Sequence, residues 1–169
     1  MSGDNGRQLG RSALHIFVLT AFAFAQPLYD LFARTPEFFV ARGSTRAEVF
    51  VFAAALLLVP PAVLLAVEAI ATLVSRRAGE IVHLVFVGGL VALVAMQVFK
   101  RGGLGTLGVF VLAAAAGAAG VAVYASTRPV RLFLTILAPA PLLFFVIFLL
   151  RSPVGGSEPL IRPSTRRPW

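Results

Sequence analysis

The sequence contains no cysteine, and only 13% of its 169 residues are charged. The lack of cysteine excludes disulfide bonds, thiolate metal sites and cysteine nucleophiles. The only histidines are His15 and His83, and the seven acidic residues are dispersed, so neither a metal-ligand cluster nor a Ser-His-Asp set is present in the pattern. We therefore expect no cofactor, no metal and no catalytic residue in this chain.

Apolar residues are abundant instead, at 59% of the chain, and the mean hydropathy is +0.91. A soluble domain is about half apolar and roughly 25% charged. The apolar runs are about twenty residues long and apolar on all sides, whereas strands of a membrane barrel alternate apolar and polar residues. The sequence predicts an all-α fold, a polytopic transmembrane helical bundle in the cell membrane with the lipid bilayer as its main partner.

The runs divide the chain into five predicted spans. Each is long enough to cross a hydrocarbon core of about 30 Å. The spans are expected at about 12–33, 48–74, 80–99, 104–125 and 130–150, with a polar amino-terminal tail at 1–11 and a Pro/Gly/Arg-rich linker or tail at 151–169. Prolines predict interruptions within three of them, at Pro27, at Pro60-Pro61, and at Pro139 with Pro141.

The first span also fits a second interpretation. Arg7 and Arg11 precede an apolar run that ends in Ala23-Phe24-Ala25, which is the pattern of a signal-peptide cleavage site. The apolar character continues through Phe32, which favours a retained helix. Cleavage of the first span stays an open alternative at this point.

The net charge of +8 does not indicate nucleic acid, because the basic residues are scattered between the apolar runs instead of forming a patch. They are typical of anchors at the lipid headgroups. Five crossings would put six basic residues near each membrane face before the distal tail is counted. The positive-inside rule therefore gives no orientation.

Polar residues at membrane depth are costly and are functional candidates. Glu68 lies near the end of the second span and His83 near the start of the third, so antiparallel helices joined by a tight basic turn at 75–79 would put both at similar depth. The pair could serve as a proton relay or a ligand site. A structural pair, or two side chains reaching the headgroups, is the plainer interpretation.

Two further sets of residues have helical spacing. Gln26, Asp30 and Arg34 stand four apart and form a candidate outer-face cluster, which would receive a partner domain or a headgroup, or would simply be a solvated helix end. In the fourth span, small residues form candidate helix-packing faces. These faces consist of Ala113 with Gly117 and Ala116 with Gly120.

Several features together resemble a known family. These are the five spans, the segment AFAQPLYDLFARTPEFFVARGST from Ala23 to Thr45, the second span with its two prolines and Glu68, and the Pro/Arg-rich exit after Arg151. They resemble the amino-terminal membrane region of actinobacterial sulfatase-like membrane proteins of the alkaline phosphatase superfamily. Their five-helix plan is similar to that of lipoteichoic acid synthases.

The resemblance implies a cytoplasmic amino terminus and an extracytoplasmic carboxyl terminus. It also implies that the helices anchor a metal-dependent hydrolase or transferase domain outside the cell, although no catalytic residue of such a domain has a counterpart in this sequence. Two other hypotheses remain open. One is a small transporter or channel lined by Glu68 and His83, and the other is an assembly subunit that packs against other membrane subunits.

Overall fold

The computed structural model describes residues 2–34, 45–103 and 105–151, and every regular element in these ranges is helical. The elements are α1 (Ser2–Thr20), a π-helical turn (Ala21–Ala25), α2 (Gln26–Arg34), α3 (Arg46–Val74), α4 (Arg76–Phe99), a 3-10 turn (Lys100–Gly102), α5 (Thr106–Ser126), α6 (Arg128–Ile136) and α7 (Ala140–Arg151). Five stretches are long and apolar enough to cross a membrane, namely Ser12–Phe32, Ala47–Val74, Arg76–Phe99, Thr106–Ser126 and Arg128–Leu150. The predicted all-α bundle with five spans is confirmed.

The first span lies at the centre of the bundle. Half of its apolar window (50%) is buried, against 22% or less in each of the other four spans. Buried residues of this span contribute to both apolar clusters of the core, with Tyr29 in one and Val18 in the other. Because the first span holds the bundle together, its position favours a retained helix over a cleaved signal sequence. Its helix also begins at Ser2, within the segment predicted as a tail.

Helix caps set the junction between the second and third spans. Thr45 begins α3 with a capping box, in which its hydroxyl accepts from Glu48 N and its own N–H donates to the Glu48 carboxylate. Ser75 ends α3 and also begins α4, where its hydroxyl accepts from Ala78 N at 3.0 Å. The predicted basic turn at 75–79 is therefore wrong in extent, since one capping serine is enough to reverse the chain.

Pro27 disturbs the first span one turn before its own position. A proline has no N–H to donate to the carbonyl four residues earlier, here Ala23. The backbone widens into the π-helical turn Ala21–Ala25, and Gln97 Nε2 of α4 donates to Ala23 O at 2.8 Å. The freed carbonyl thus receives its hydrogen bond from a neighbouring helix, as membrane-embedded backbone requires.

The proline pairs of the second and fifth spans have different effects on their helices. The predicted break at Pro60-Pro61 is wrong, because α3 continues from Arg46 to Val74. The fixed φ of proline is compatible with a helix, and no water competes for the backbone inside lipid. In the fifth span the interruption is real, since α6 ends at Ile136 and α7 begins at Ala140. Residues 137–139 form a turn between the two helices.

The predicted small-residue faces pack within the chain. A Cβ added at Gly117 would lie 2.6 Å from Gly88 O of α4, so the two backbones touch at this point. One turn along α5, a Cβ added at Gly120 would lie 2.8 Å from Val91 Cγ1. Ala113 is buried and Ala116 is partly buried. The Gly117 face is therefore occupied by α4 and is not free for a separate membrane subunit.

Candidate functional site

Glu68 and His83 are in direct contact at the end of the bundle that holds the α3–α4 junction. Glu68 Oε2 lies 3.2 Å from His83 Nδ1, and the two side chains are only 15% and 12% exposed. Glu68 is six residues before Val74, which is about 9 Å along the helix. The spacing argument correctly brought these residues together, while their role stays a prediction.

Ser12 of the first span joins this pair. Its hydroxyl donates to Glu68 Oε1 at 3.1 Å and lies 2.9 Å from His83 Nδ1. A nucleophilic triad needs the serine and the acid on opposite nitrogens of the imidazole. Here both face Nδ1, so the arrangement does not activate Ser12 as a nucleophile.

The other nitrogen of His83 continues the chain of contacts. His83 Nε2 lies 3.0 Å from Tyr124 Oη, which in turn lies 2.8 Å from His15 Nδ1. His15 Nε2 lies 3.3 Å from Thr135 Oγ1, and Thr135 donates to Arg131 O at 2.9 Å. We call these six side chains, Ser12, His15, Glu68, His83, Tyr124 and Thr135, the polar network.

All five spans contribute to the polar network. The first span supplies Ser12 and His15, and each of the others supplies one member. Sequence reasoning missed four of the six, because the contacts of Ser12, His15, Tyr124 and Thr135 within the network join different helices. The available signal was their shared position near the same membrane face when the spans are written antiparallel.

Two hydrogen bonds of the polar network have a fixed direction. Thr135 donates to Arg131 O, and Ser12 donates to Glu68 Oε1. Both ring nitrogens of His15 and of His83 lie within 3.3 Å of a polar partner in the network. Which nitrogen donates and which accepts depends on the tautomer of each histidine.

Two cavities open beside the polar network. The larger, of about 770 Å³, we call the polar cavity; it is lined by Ser12, Glu68, Thr72, Arg76, Gly79, Glu80, His83, Leu84, Tyr124, Ala125 and Arg131. A neighbouring cavity of about 610 Å³ is lined in part by His15, Arg128 and Arg131. Arg131 lies between them and borders both.

The interior beyond the polar network is mainly apolar. Ile16 and Val18 of the first span are fully buried, and Val87 of α4 is 1% exposed. Val18 and Val87 lie about one turn deeper than His15 and His83, and Ile16 directly follows His15. The buried hydroxyl of Thr20 donates to Ile16 O of its own helix. The polar cavity therefore opens toward one membrane face and is closed by packed apolar side chains on its inner side.

The candidate outer-face cluster lies at the other end of the first span, on α2. Asp30 and Arg34 form an ion pair of 3.1 Å with exposed side chains, and Gln26 is exposed on the same helix. An exposed pair of this kind contributes at most about 1 kcal/mol. Glu37 and Arg42, which follow this cluster in the sequence, lie outside the described residues.

Within the described ranges, no group of three histidine, aspartate or glutamate side chains is arranged to hold a metal ion. The sequence matches no protein-family model, and no curated protein and no solved structure is significantly similar to it. The functional argument therefore depends on the geometry of the polar network and the polar cavity.

Proposed function

We propose that this chain is a multi-pass membrane protein that binds a polar ligand or headgroup in the polar cavity, on the membrane face of its amino terminus. The observation that supports this proposal is the convergence of six polar side chains from all five spans beside one open cavity. Ionisable side chains within membrane spans are rare, and they face the bundle interior or a water-filled cavity. A bundle that only anchors another domain needs no such group.

The polar cavity opens toward one membrane face only. This supports binding of a ligand over passage of a solute through the membrane. A pathway would require polar side chains or water beyond the network, where Ile16, Val18 and Val87 are packed and buried. The geometry at Ser12 supports binding over catalysis, because the hydroxyl and the Glu68 carboxylate share one nitrogen of His83. Hydrogen-bond donors, two arginines and two carboxylates instead form a lining that can hold a charged group.

Single-cysteine variants test this proposal, because the chain has no cysteine of its own. Leu84→Cys places a thiol in the polar cavity, and the matched control Val85→Cys places one at the next residue, which is 63% exposed on the lipid side. Alkylation requires a thiolate and therefore water. A membrane-impermeant charged maleimide should label Leu84→Cys from the amino-terminal face only, and Val85→Cys from neither face.

Two results would contradict the proposal. Labelling of Leu84→Cys that does not exceed that of Val85→Cys would mean that the cavity is closed to water. Equal labelling from both faces would mean a passage, which is the transporter or channel hypothesis. A bound ligand that exchanges slows the labelling of Leu84→Cys without abolishing it.

A second candidate function is the membrane anchor of a sulfatase-like hydrolase or transferase. The observation that favours it is the odd number of spans, which puts Ser2 and the end of α7 on opposite faces. An immunoblot of source membranes with an antibody raised against a peptide of residues 34–47 tests this candidate. A band well above 17.9 kDa would support an anchor with a downstream domain, and a band at that mass would contradict it.

A further inference from the structure

We propose that the polar cavity holds the headgroup of one phospholipid whose headgroup carries an amine, and that an acyl chain of the same molecule lies in a groove between α4 and α5. This inference rests on the proposed binding function and names its ligand class. The groove, which we call the apolar groove, has a volume of about 520 Å³ and is lined by Ile81, Leu84, Val85, Gly88, Gly89, Ala92, Ala114, Gly117, Ala118 and Val121.

The polar cavity and the apolar groove meet at Leu84, which lines both. On α5 the same transition occurs within one turn, from Tyr124 in the cavity to Val121 in the groove. Because the polar cavity and the apolar groove share a wall, together they fit an amphiphile better than a small polar solute. One molecule can therefore contact both.

The length of the apolar groove matches one leaflet. From Ile81 to Ala92 the groove follows α4 for eleven residues, which is about 17 Å along the helix axis. Half of a hydrocarbon core of about 30 Å is about 15 Å. The groove begins at the polar cavity near the membrane face and runs toward the bilayer centre, so a lipid of that leaflet enters it without inverting.

The lining of the polar cavity is suited to a headgroup with charges of both signs. Arg76 and Arg131 can pair with a phosphate, and the hydroxyls of Ser12 and Tyr124 border the same space. Glu68 and Glu80 also line the cavity, so the formal charges of the arginines are balanced. An anionic headgroup would leave Glu80 facing a like charge, whereas an ammonium group beside the phosphate would pair with it.

The groove wall can be filled without disturbing the bundle. A Cβ added at Gly89 meets no atom within 4 Å, so Gly89→Leu places a side chain in the space of the proposed acyl chain. The matched control is Ala115→Leu, which enlarges an exposed residue of α5 outside the groove. For the headgroup end, Arg77→Gln is the control for Arg76→Gln, because Arg77 is the neighbouring exposed arginine and does not line the cavity.

The experiment is a titration of the purified full chain in detergent with dioleoyl phosphatidylethanolamine, with bound lipid counted by native mass spectrometry. We expect one tightly bound lipid. The Arg76→Gln/Arg131→Gln double variant and Gly89→Leu should each weaken it about tenfold or more, which corresponds to about 1.4 kcal/mol. Arg77→Gln and Ala115→Leu should leave binding unchanged. Thermal unfolding of every variant verifies that the bundle is intact.

Two comparisons identify the ligand further. Dioleoyl phosphatidylglycerol should bind more weakly than phosphatidylethanolamine in the natural chain, and Glu80→Gln should remove this preference. Inorganic phosphate at millimolar concentration should not displace the lipid, since it cannot occupy the groove. Displacement by phosphate, equal binding of the two lipids, or identical binding by the test and control variants would overturn the inference. The labelling of Leu84→Cys would still decide the proposed function independently.

Discussion

Tyr124 is the residue on which the polar network depends most, because its hydroxyl contacts both histidines. Tyr124→Phe would leave two buried imidazole nitrogens without this partner. An unsatisfied buried polar group costs about 1–3 kcal/mol. We expect Tyr124→Phe to lower the free energy of unfolding in detergent by about 2–4 kcal/mol in total, measured by denaturant titration followed by circular dichroism.

Tyr29→Phe is the matched control for this loss. The Tyr29 hydroxyl donates to Ala53 O at 2.6 Å, which is a helix carbonyl, so only one neutral hydrogen bond disappears. A cost of about 0.5–1.5 kcal/mol is expected. If both variants lost the same stability, the bridging role of Tyr124 between the histidines would be wrong.

Sequence reasoning found the Glu68–His83 contact because both residues flank one short junction, where helix length fixes their depth. It did not find Ser12, His15, Tyr124 or Thr135. Their contacts depend on how each helix is rotated about its axis and on which helices are neighbours. An all-round apolar helix carries little information about its rotation, so those contacts required the packed structure.

At the scale of single helices, Pro27 and Gln97 form a pair that can be tested by a double-mutant cycle. Gln97→Leu removes the donor to Ala23 O and should cost about 1–3 kcal/mol of stability. In a Pro27→Ala background the helix regains its own N–H, so the same substitution should cost much less. Equal costs in the two backgrounds, measured by thermal unfolding, would mean that Gln97 does not compensate for the proline.

The contact between α4 and α5 gives a second prediction at this scale. Gly117→Leu would force a side chain against Gly88 O and the Ala92 side chain, which a Cβ alone would approach to 2.6 and 3.0 Å. Overpacking of this kind costs about 1–3 kcal/mol or more. Ala115→Leu, on the exposed side of α5, should cost almost nothing. Comparable melting temperatures for the two variants would contradict the close approach of the backbones.

The helices themselves were predictable because their length and apolar character dominate the sequence. Their ends were less so, since Ser75 alone replaces a five-residue turn. The two proline pairs show why breaks are difficult to predict. Pro60 and Pro61 leave α3 continuous, whereas a turn at residues 137–139 separates α6 from α7 beside Pro139 and Pro141. The backbone restriction on the residue before a proline applies to both pairs and therefore does not distinguish them.

For the whole molecule, the odd number of spans separates the two candidate functions. Ser2 and the end of α7 must lie on opposite membrane faces if all five spans cross. We expect a fluorescent protein fused before Ser2 to fold in the cytoplasm and a secreted phosphatase fused after residue 151 to be active outside. This is the orientation that the resemblance implies.

The opposite orientation would contradict the anchor function but would leave the proposed binding function intact. A cytoplasmic carboxyl terminus would remove the anchor of an extracytoplasmic domain, because the linker at 151–169 would lead into the wrong compartment. The polar cavity would keep its shape and its lining, and only the leaflet from which a lipid enters would change. A fluorescent amino-terminal fusion together with an inactive carboxyl-terminal phosphatase would instead put both termini in the cytoplasm and mean that one span does not cross. The first span would be excluded from that role by its buried position, so the interrupted fifth span, with its turn at Leu137–Pro139, would be the one to re-examine.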